Sequence, residues 1–275
     1  MTRERMAVVV LATIGASLLL VTAVNRWGAP SDEHAYWLAG QRLLAGEPLY
    51  DPTATSITPF AYWYPPIVAQ VMAPVSAVLP EWLFSALWTV LMLVCLWWIA
   101  GRDVLRALAL CAFPPVAVEF WFRNVHLILA VLLVLGIRRW SGWYAVGAAI
   151  KLAPGIALGY LALRGRWREL AMAVGLGIGL LAISLVLSPD AWRQFAEVML
   201  ARGPSDESAF FPVPYVARVV AAVVVLLVAA RLEPRWGEPL LVVAVVLALP
   251  TLWFTALSTL VAVIPLLRLS RSEGV

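Results

Sequence analysis

Ala145-Val146-Gly147-Ala148-Ala149-Ile150-Lys151-Leu152-Ala153-Pro154-Gly155 lies in the middle of an apolar stretch running from 142 to 163. Its reading decides the fold. Arg138 and Arg139 precede the stretch, and Arg164, Arg166 and Arg168 follow it. Basic residues collect on the cytoplasmic side of membrane proteins, so a stretch with basic clusters at both ends starts and finishes on one side. It is therefore not one simple span. Pro154 supplies the break, because proline lacks a backbone donor and clashes with the preceding turn. We expect two short arms, 142–151 and 154–163, meeting at an apex towards the outer side. Irregular backbone at membrane depth is tolerated only where it lines a cavity or is buried in protein.

The same logic extends in both directions. Further spans are expected at 6–24, 82–100, 104–121, 125–138, 169–187, 213–231 and 239–267, the last split at Leu249-Pro250 so that Arg268 ends inside. The expected fold is an all-α, polytopic integral membrane protein with about ten membrane segments, several short or broken, and both termini cytoplasmic. It forms a single transmembrane domain over 1–275. Composition agrees: 63% of residues are hydrophobic and 13% charged, against roughly a quarter charged in soluble chains. The net charge of +4 sits in short loops and implies no nucleic-acid partner. Met6–Val24 follows Thr2-Arg3-Glu4-Arg5 as a signal peptide would, but Val24-Asn25-Arg26 lacks a small-residue cleavage site, so a retained first helix is expected. Cys95 and Cys111 lie in apolar runs and are expected to pack as small hydrophobes.

This topology puts 25–66 outside, and four of the chain's 16 acidic residues fall there: Asp32, Glu33, Glu47 and Asp51. Ser31 is expected to cap a helix from Asp32 to about Ala45, with Gly46 as its stop. Ala35, Leu38, Ala39 and Leu43 give that helix an apolar face, as for an interfacial helix. Segment 67–79 is too short to span and is expected to dip in or lie flat. Asp32 and Tyr36 are four apart and share a face. A carboxylate where the chain leaves the membrane is a candidate base; the plainer alternative is that Asp32 and Glu33 only answer the helix dipole. His34 crowds the same turn. Phe60, Tyr62, Trp63 and Tyr64 suit either an interfacial anchor or the face of a sugar ring.

A second polar cluster, Glu119, Arg123, Asn124 and His126, stands at the expected outer end of 104–121. Ionisable groups at membrane depth are expensive and are functional candidates by default. Glu119 and Arg123 are spaced for an internal ion pair; alternatively Arg123 or His126 meets an anionic ligand. Lys151 is the chain's only lysine. It either snorkels to the interface or acts as a compact point charge for a phosphate. Two histidines and no D-x-D pair give no metal signature, and there is no P-loop, G-x-S-x-G or zinc spacing. Neither metal nor cofactor is expected.

Asp32-x-x-x-Tyr36, then Leu43-Leu44-Ala45-Gly46-Glu47-Pro48-Leu49-Tyr50-Asp51, then Tyr64-Pro65-Pro66 with Pro74 and Leu79-Pro80, resembles the first outer loop of glycosyltransferase family 87. The run from Ala145 to Pro154 and the following Arg164-x-Arg166-Trp167-Arg168 also resemble that family; Arg123-Asn124-Val125-His126 stands where its members carry G-Q-x-N. These are polyprenyl-phosphate-sugar-dependent membrane enzymes of the GT-C fold, α-mannosyltransferases among them, and the resemblance covers about residues 30 to 170. It implies a GT-C-like bundle in a bacterial plasma membrane, with an outward-facing site that moves a sugar, mannose before others, from a polyprenyl-phosphate donor to a glycolipid or polysaccharide acceptor. It implies Asp32 as the base on the acceptor hydroxyl. Lys151, Arg123 and His126 would take the donor phosphate, and Glu33, His34, Tyr36, Tyr62, Tyr64 and Asn124 would contact substrate. Two other classes compete. A lipid or sugar transporter predicts symmetric halves and a through-pathway, and no repeat is visible. A non-catalytic membrane subunit predicts scattered rather than convergent carboxylates.

Overall fold

Prolines and left-handed residues punctuate the chain, and the elements fall between them. The computed structural model describes residues 2–26, 31–55, 58, 60–202 and 213–272, among which every regular element is helical. α1 (Arg3–Arg26) is followed by α2 (Asp32–Ala45), α3 (Pro66–Val78), α4 (Glu81–Ile99), α5 (Val104–Leu110), α6 (Pro114–Phe122), α7 (His126–Arg138) and α8 (Gly142–Ile150). A 3₁₀ turn (Ala153–Gly155) leads into α9 (Ile156–Leu163), α10 (Trp167–Leu187), α11 (Pro189–Arg202), α12 (Tyr215–Arg231) and α13 (Pro234–Leu247), and a 3₁₀ segment (Phe254–Ala262) leads into α14 (Val263–Ser272).

Among the described residues, α1, α4 and α10 are long and apolar enough to cross a membrane, and α5 with α6 adds a fourth crossing if the two are one span. Three polar side chains of α1 turn back onto their own helix: Thr13 and Ser17 donate to the carbonyls of Val9 and Thr13, each at 2.9 Å, and Asn25 to that of Val21 at 2.7 Å. The Lys151 break forms as expected, with Lys151 extended (φ −140°, ψ 133°) between α8 and the 3₁₀ turn. The chain also breaks after α13, before Pro250.

The expectation of one straight span over 104–121 is corrected. α5 and α6 meet at 88°. Pro114-Pro115 opens α6, and the residue before a proline is driven out of the helical region; Phe113 accordingly takes φ −75°, ψ 111°. Segment 188–212, read as an outer loop, carries α11 in its described part. The Ser31 cap is corrected too: Ser31 precedes α2 but makes no side-chain capping bond. Its hydroxyl accepts from Arg123 Nε at 3.0 Å instead.

α2 ends at Gly46, whose φ of +69° is open to glycine without penalty. Its buried face includes the expected Ala35 and Ala39, joined by Glu33, Tyr36 and Gly40. That face packs mainly on α3 and also on α4. Trp37 Nε1 donates to the Leu79 carbonyl at 2.9 Å, and Gln41 Nε2 to that of Ser76 at 2.5 Å. Gly40 permits this approach, since a Cβ there would stand 2.5 Å from Ser76 Oγ and 2.8 Å from the Met72 carbonyl oxygen. Gly40→Val is expected to destabilise the protein by about 1–3 kcal/mol, the usual cost of overpacking. A lowered unfolding temperature in detergent checks this; an unchanged one would mean that α2 and α3 do not pack so closely. α7 forms the centre of the bundle, against α4, α8 and the 254–262 segment.

Candidate active site

Three pieces of chain remote in sequence converge at the N-terminal end of α2. The 122–125 turn lies beneath it because Arg123 takes a left-handed conformation (φ 51°, ψ 47°), which stops α6 and redirects the chain into α7. A non-glycine residue holds such a conformation only where its surroundings over-determine it. Here the surroundings include two polar ties. Arg123 Nη1 pairs with Glu33 Oε1 at 3.1 Å and Arg123 Nε donates to Ser31 Oγ at 3.0 Å. Ser85 of α4 donates to the same Glu33 oxygen at 2.9 Å. Burial pushes the Glu33 carboxyl above the ordinary carboxylate range, against the pull of the Arg123 guanidinium. Glu33 thus fastens α2 to the turn.

Asn124, next in the turn, is the hub. Its Nδ2 donates to Asp32 Oδ2. Its Oδ1 accepts from Tyr64 at 3.1 Å and from the Val125 N–H at 2.8 Å. Tyr36 spends its one hydroxyl proton on the Tyr64 oxygen at 2.7 Å, and so joins the network through Tyr64. The amide orientation is fixed by these donors, so Asn124 can only present its N–H groups to Asp32.

The third piece is the broken apex. Lys151 turns inward rather than snorkelling: its Nζ lies 2.8 Å from His126 Nε2 and 5.3 Å from the centre of the Tyr64 ring. His126 Nδ1 lies 2.9 Å from Glu119 Oε2, and the His126 N–H donates to Glu119 Oε1 at 2.7 Å. The sequence-based pairing of Glu119 with Arg123 is therefore replaced by two pairs, Glu119 with His126 and Arg123 with Glu33. Spacing of four residues favours a pair only along one continuous helix, and α6 ends at Phe122.

These pieces border a cavity of about 690 Å³, within the usual size of a small-molecule site. Asp32, Tyr64, Asn124 and Lys151 supply polar groups to its wall. Phe122, Phe195, Met199, Trp253 and Phe254 contribute apolar surface. Of the residues expected to touch ligand, Glu33, His34, Tyr36, Tyr62, Arg123 and His126 are not on this wall. Tyr36 and His126 are fully buried, and Tyr62 donates to the Pro65 carbonyl at 3.0 Å. His34 Nδ1 lies 2.7 Å from Glu81 Oε1. Tyr36 shares a face with Asp32 as expected, and its hydroxyl is linked to that carboxylate by way of Tyr64 and Asn124.

Sequence reasoning missed the contributions of α11 (Phe195, Met199) and of Trp253-Phe254. The aromatic pair beside the Pro250 break was the available signal; for α11 only its place beyond a span was visible. Among the described residues, no three His, Cys, Asp or Glu side chains gather as a metal-binding group.

A carboxylate and an ammonium on the wall of one largely apolar pocket can divide a displacement between them, one taking a proton and the other facing the charge that develops on the leaving group. The model of glycosyltransferase family 87 matches residues 62–267, three-quarters of the chain. No curated protein and no solved structure matches.

Proposed function

We propose that this chain, which belongs to glycosyltransferase family 87, moves mannose from a polyprenyl-phosphate donor to a hydroxyl of a glycolipid or polysaccharide acceptor inside this cavity. Membership makes it a membrane glycosyltransferase; the donor, the sugar and the residue roles are our reading. One observation carries it: Asp32 and Lys151, from parts of the chain more than a hundred residues apart, line the same cavity. The plan is an outward-facing, GT-C-like site in a bacterial plasma membrane, between the first outer loop and the two broken apices.

In the reaction, the acceptor hydroxyl gives its proton to the Asp32 carboxylate as its oxygen bonds to the anomeric carbon. The bond from that carbon to the donor phosphate oxygen breaks, and both electrons leave with the phosphate. The departing polyprenyl phosphate gains one negative charge, which the Lys151 ammonium faces. Asn124 orients Asp32 by donating to one of its oxygens. The Tyr64 ring and the Trp253 indole offer flat apolar faces to the sugar. Glu33 and Arg123 hold α2 in place and take no proton.

The test is transfer by purified protein in proteoliposomes, with synthetic polyprenyl-phosphate mannose as donor and extracted membrane glycolipids as acceptor. Product is expected with this donor and not with a nucleotide-linked mannose, and EDTA is expected to leave the rate unchanged. Transfer from the nucleotide sugar alone, or its loss on chelation, would refute the reading.

A further inference from the structure

The cavity wall ends at Lys151, but the polar chain continues behind it. Lys151 is followed by His126 and then by Glu119, at 2.8 Å and 2.9 Å. The Glu119 side chain is 0% exposed and that of His126 1%, so neither can touch a ligand in the cavity. An ammonium has only donors, so His126 Nε2 must accept from Lys151. The imidazole proton then sits on Nδ1 and is donated to Glu119. Glu119 also receives the His126 backbone N–H at 2.7 Å. It therefore fixes the ring at both ends of the residue while satisfying an orphan donor at the start of α7.

We propose that Glu119 and His126 are positioning residues for Lys151: the carboxylate fixes the imidazole tautomer, and the imidazole holds the ammonium on the cavity wall. This rests on Lys151 being the phosphate-facing cation, and it reassigns His126 from phosphate binding to orientation. The need for such a support is physical. A lysine has four rotatable bonds and a compact charge, and stabilising a developing charge works best when the cation is already in place. Lys151 stands on an extended residue between two short helical pieces, where the backbone alone leaves the side chain free to swing. Glu119 also supplies the charge balance for an ammonium held away from bulk water.

The experiment is a mutant cycle on the purified full chain in proteoliposomes, with synthetic polyprenyl-phosphate mannose as donor. His126→Leu is expected to lower kcat/KM about 10–100-fold, the scale typical of residues that orient a ligand group. His126→Gln, whose amide oxygen replaces the Nε2 acceptor, is expected to remain within about threefold of wild type. In a Lys151→Met background, His126→Leu is expected to change the rate by less than about twofold, because its only route of action is gone. If His126→Leu does not purify as a folded protein, Glu119→Gln takes its place in the cycle.

Equal losses in both backgrounds would overturn the inference and leave the phosphate role of Lys151 standing. A His126→Gln loss as large as that of His126→Leu would overturn it as well. Wild-type kinetics for Lys151→Met alone would instead overturn the reading on which the inference rests.

Discussion

Asp32→Asn is expected to lower the rate of sugar transfer by about 10²–10⁴-fold, the range that a positioned general base contributes. The replacement amide has the same shape and can turn its oxygen towards Asn124 Nδ2, so the tie between α2 and the 122–125 turn is kept. The Arg123–Glu33 pair beside it is untouched. Folding and donor binding should therefore be near normal, and the loss should appear in kcat. Initial rates measured beside the unfolding temperature and donor affinity check this. Glu33 is no substitute base, because it is buried, engaged by Arg123 and Ser85 and absent from the cavity wall. Transfer within a few-fold of wild type would thus remove base catalysis by α2 altogether, rather than shift it by one residue.

Lys151→Met is expected to cost about 10²–10³-fold in turnover, the scale for losing one fixed group that faces developing charge. Methionine nearly matches the lysine side chain in length and suits a partly apolar wall, so the pocket keeps its shape. The change strands the buried Glu119–His126 pair without its cation, and a fall in stability of about 3–5 kcal/mol accompanies it because a buried charge loses its counterpart. The chemical loss can be told from the structural one by varying the donor. A mannosyl donor with a more acidic phosphate leaving group needs less help at departure, and the gap between variant and wild type should narrow with it. A constant gap across donors would assign Lys151 to ground-state binding, and unchanged kinetics would end its phosphate role.

Much of the local architecture was legible from the chain because it depends on rules that act over a few residues. Gly46 ends α2 where a left-handed residue is required. Pro154 separates α8 from α9, and a break precedes Pro250. The same rules explain the misreading of 104–121. Pro114-Pro115 carried the signal for a bend, but hydropathy alone favoured one continuous span, and hydropathy does not register the backbone requirement that Phe113 must leave the helical region.

Partner choice among charges was not legible. Glu119 and Arg123 have the spacing of a pair, yet Arg123 reaches back to Glu33 and Glu119 reaches forward to His126. Asn124, one name among several in a polar cluster, is the residue that joins Asp32 to Tyr64 and, through it, to Tyr36. No local rule singles it out, because its partners lie 60 to 92 positions away.

By itself, then, the sequence determined that this is a helical membrane chain, that its helices break at Lys151–Pro154 and near Pro250, and that its unusual ionisable groups lie at the ends of apolar segments. Hydrophobicity, proline and glycine act through the solvent and the adjacent peptide, so they can be read along a line. Only the tertiary structure decided that Asp32 and Lys151 share one cavity while Glu33, Arg123, His126 and Glu119 stand behind its wall. Burying a charge is tolerated only with a partner in reach, and which partner is in reach depends on how helices distant in sequence pack.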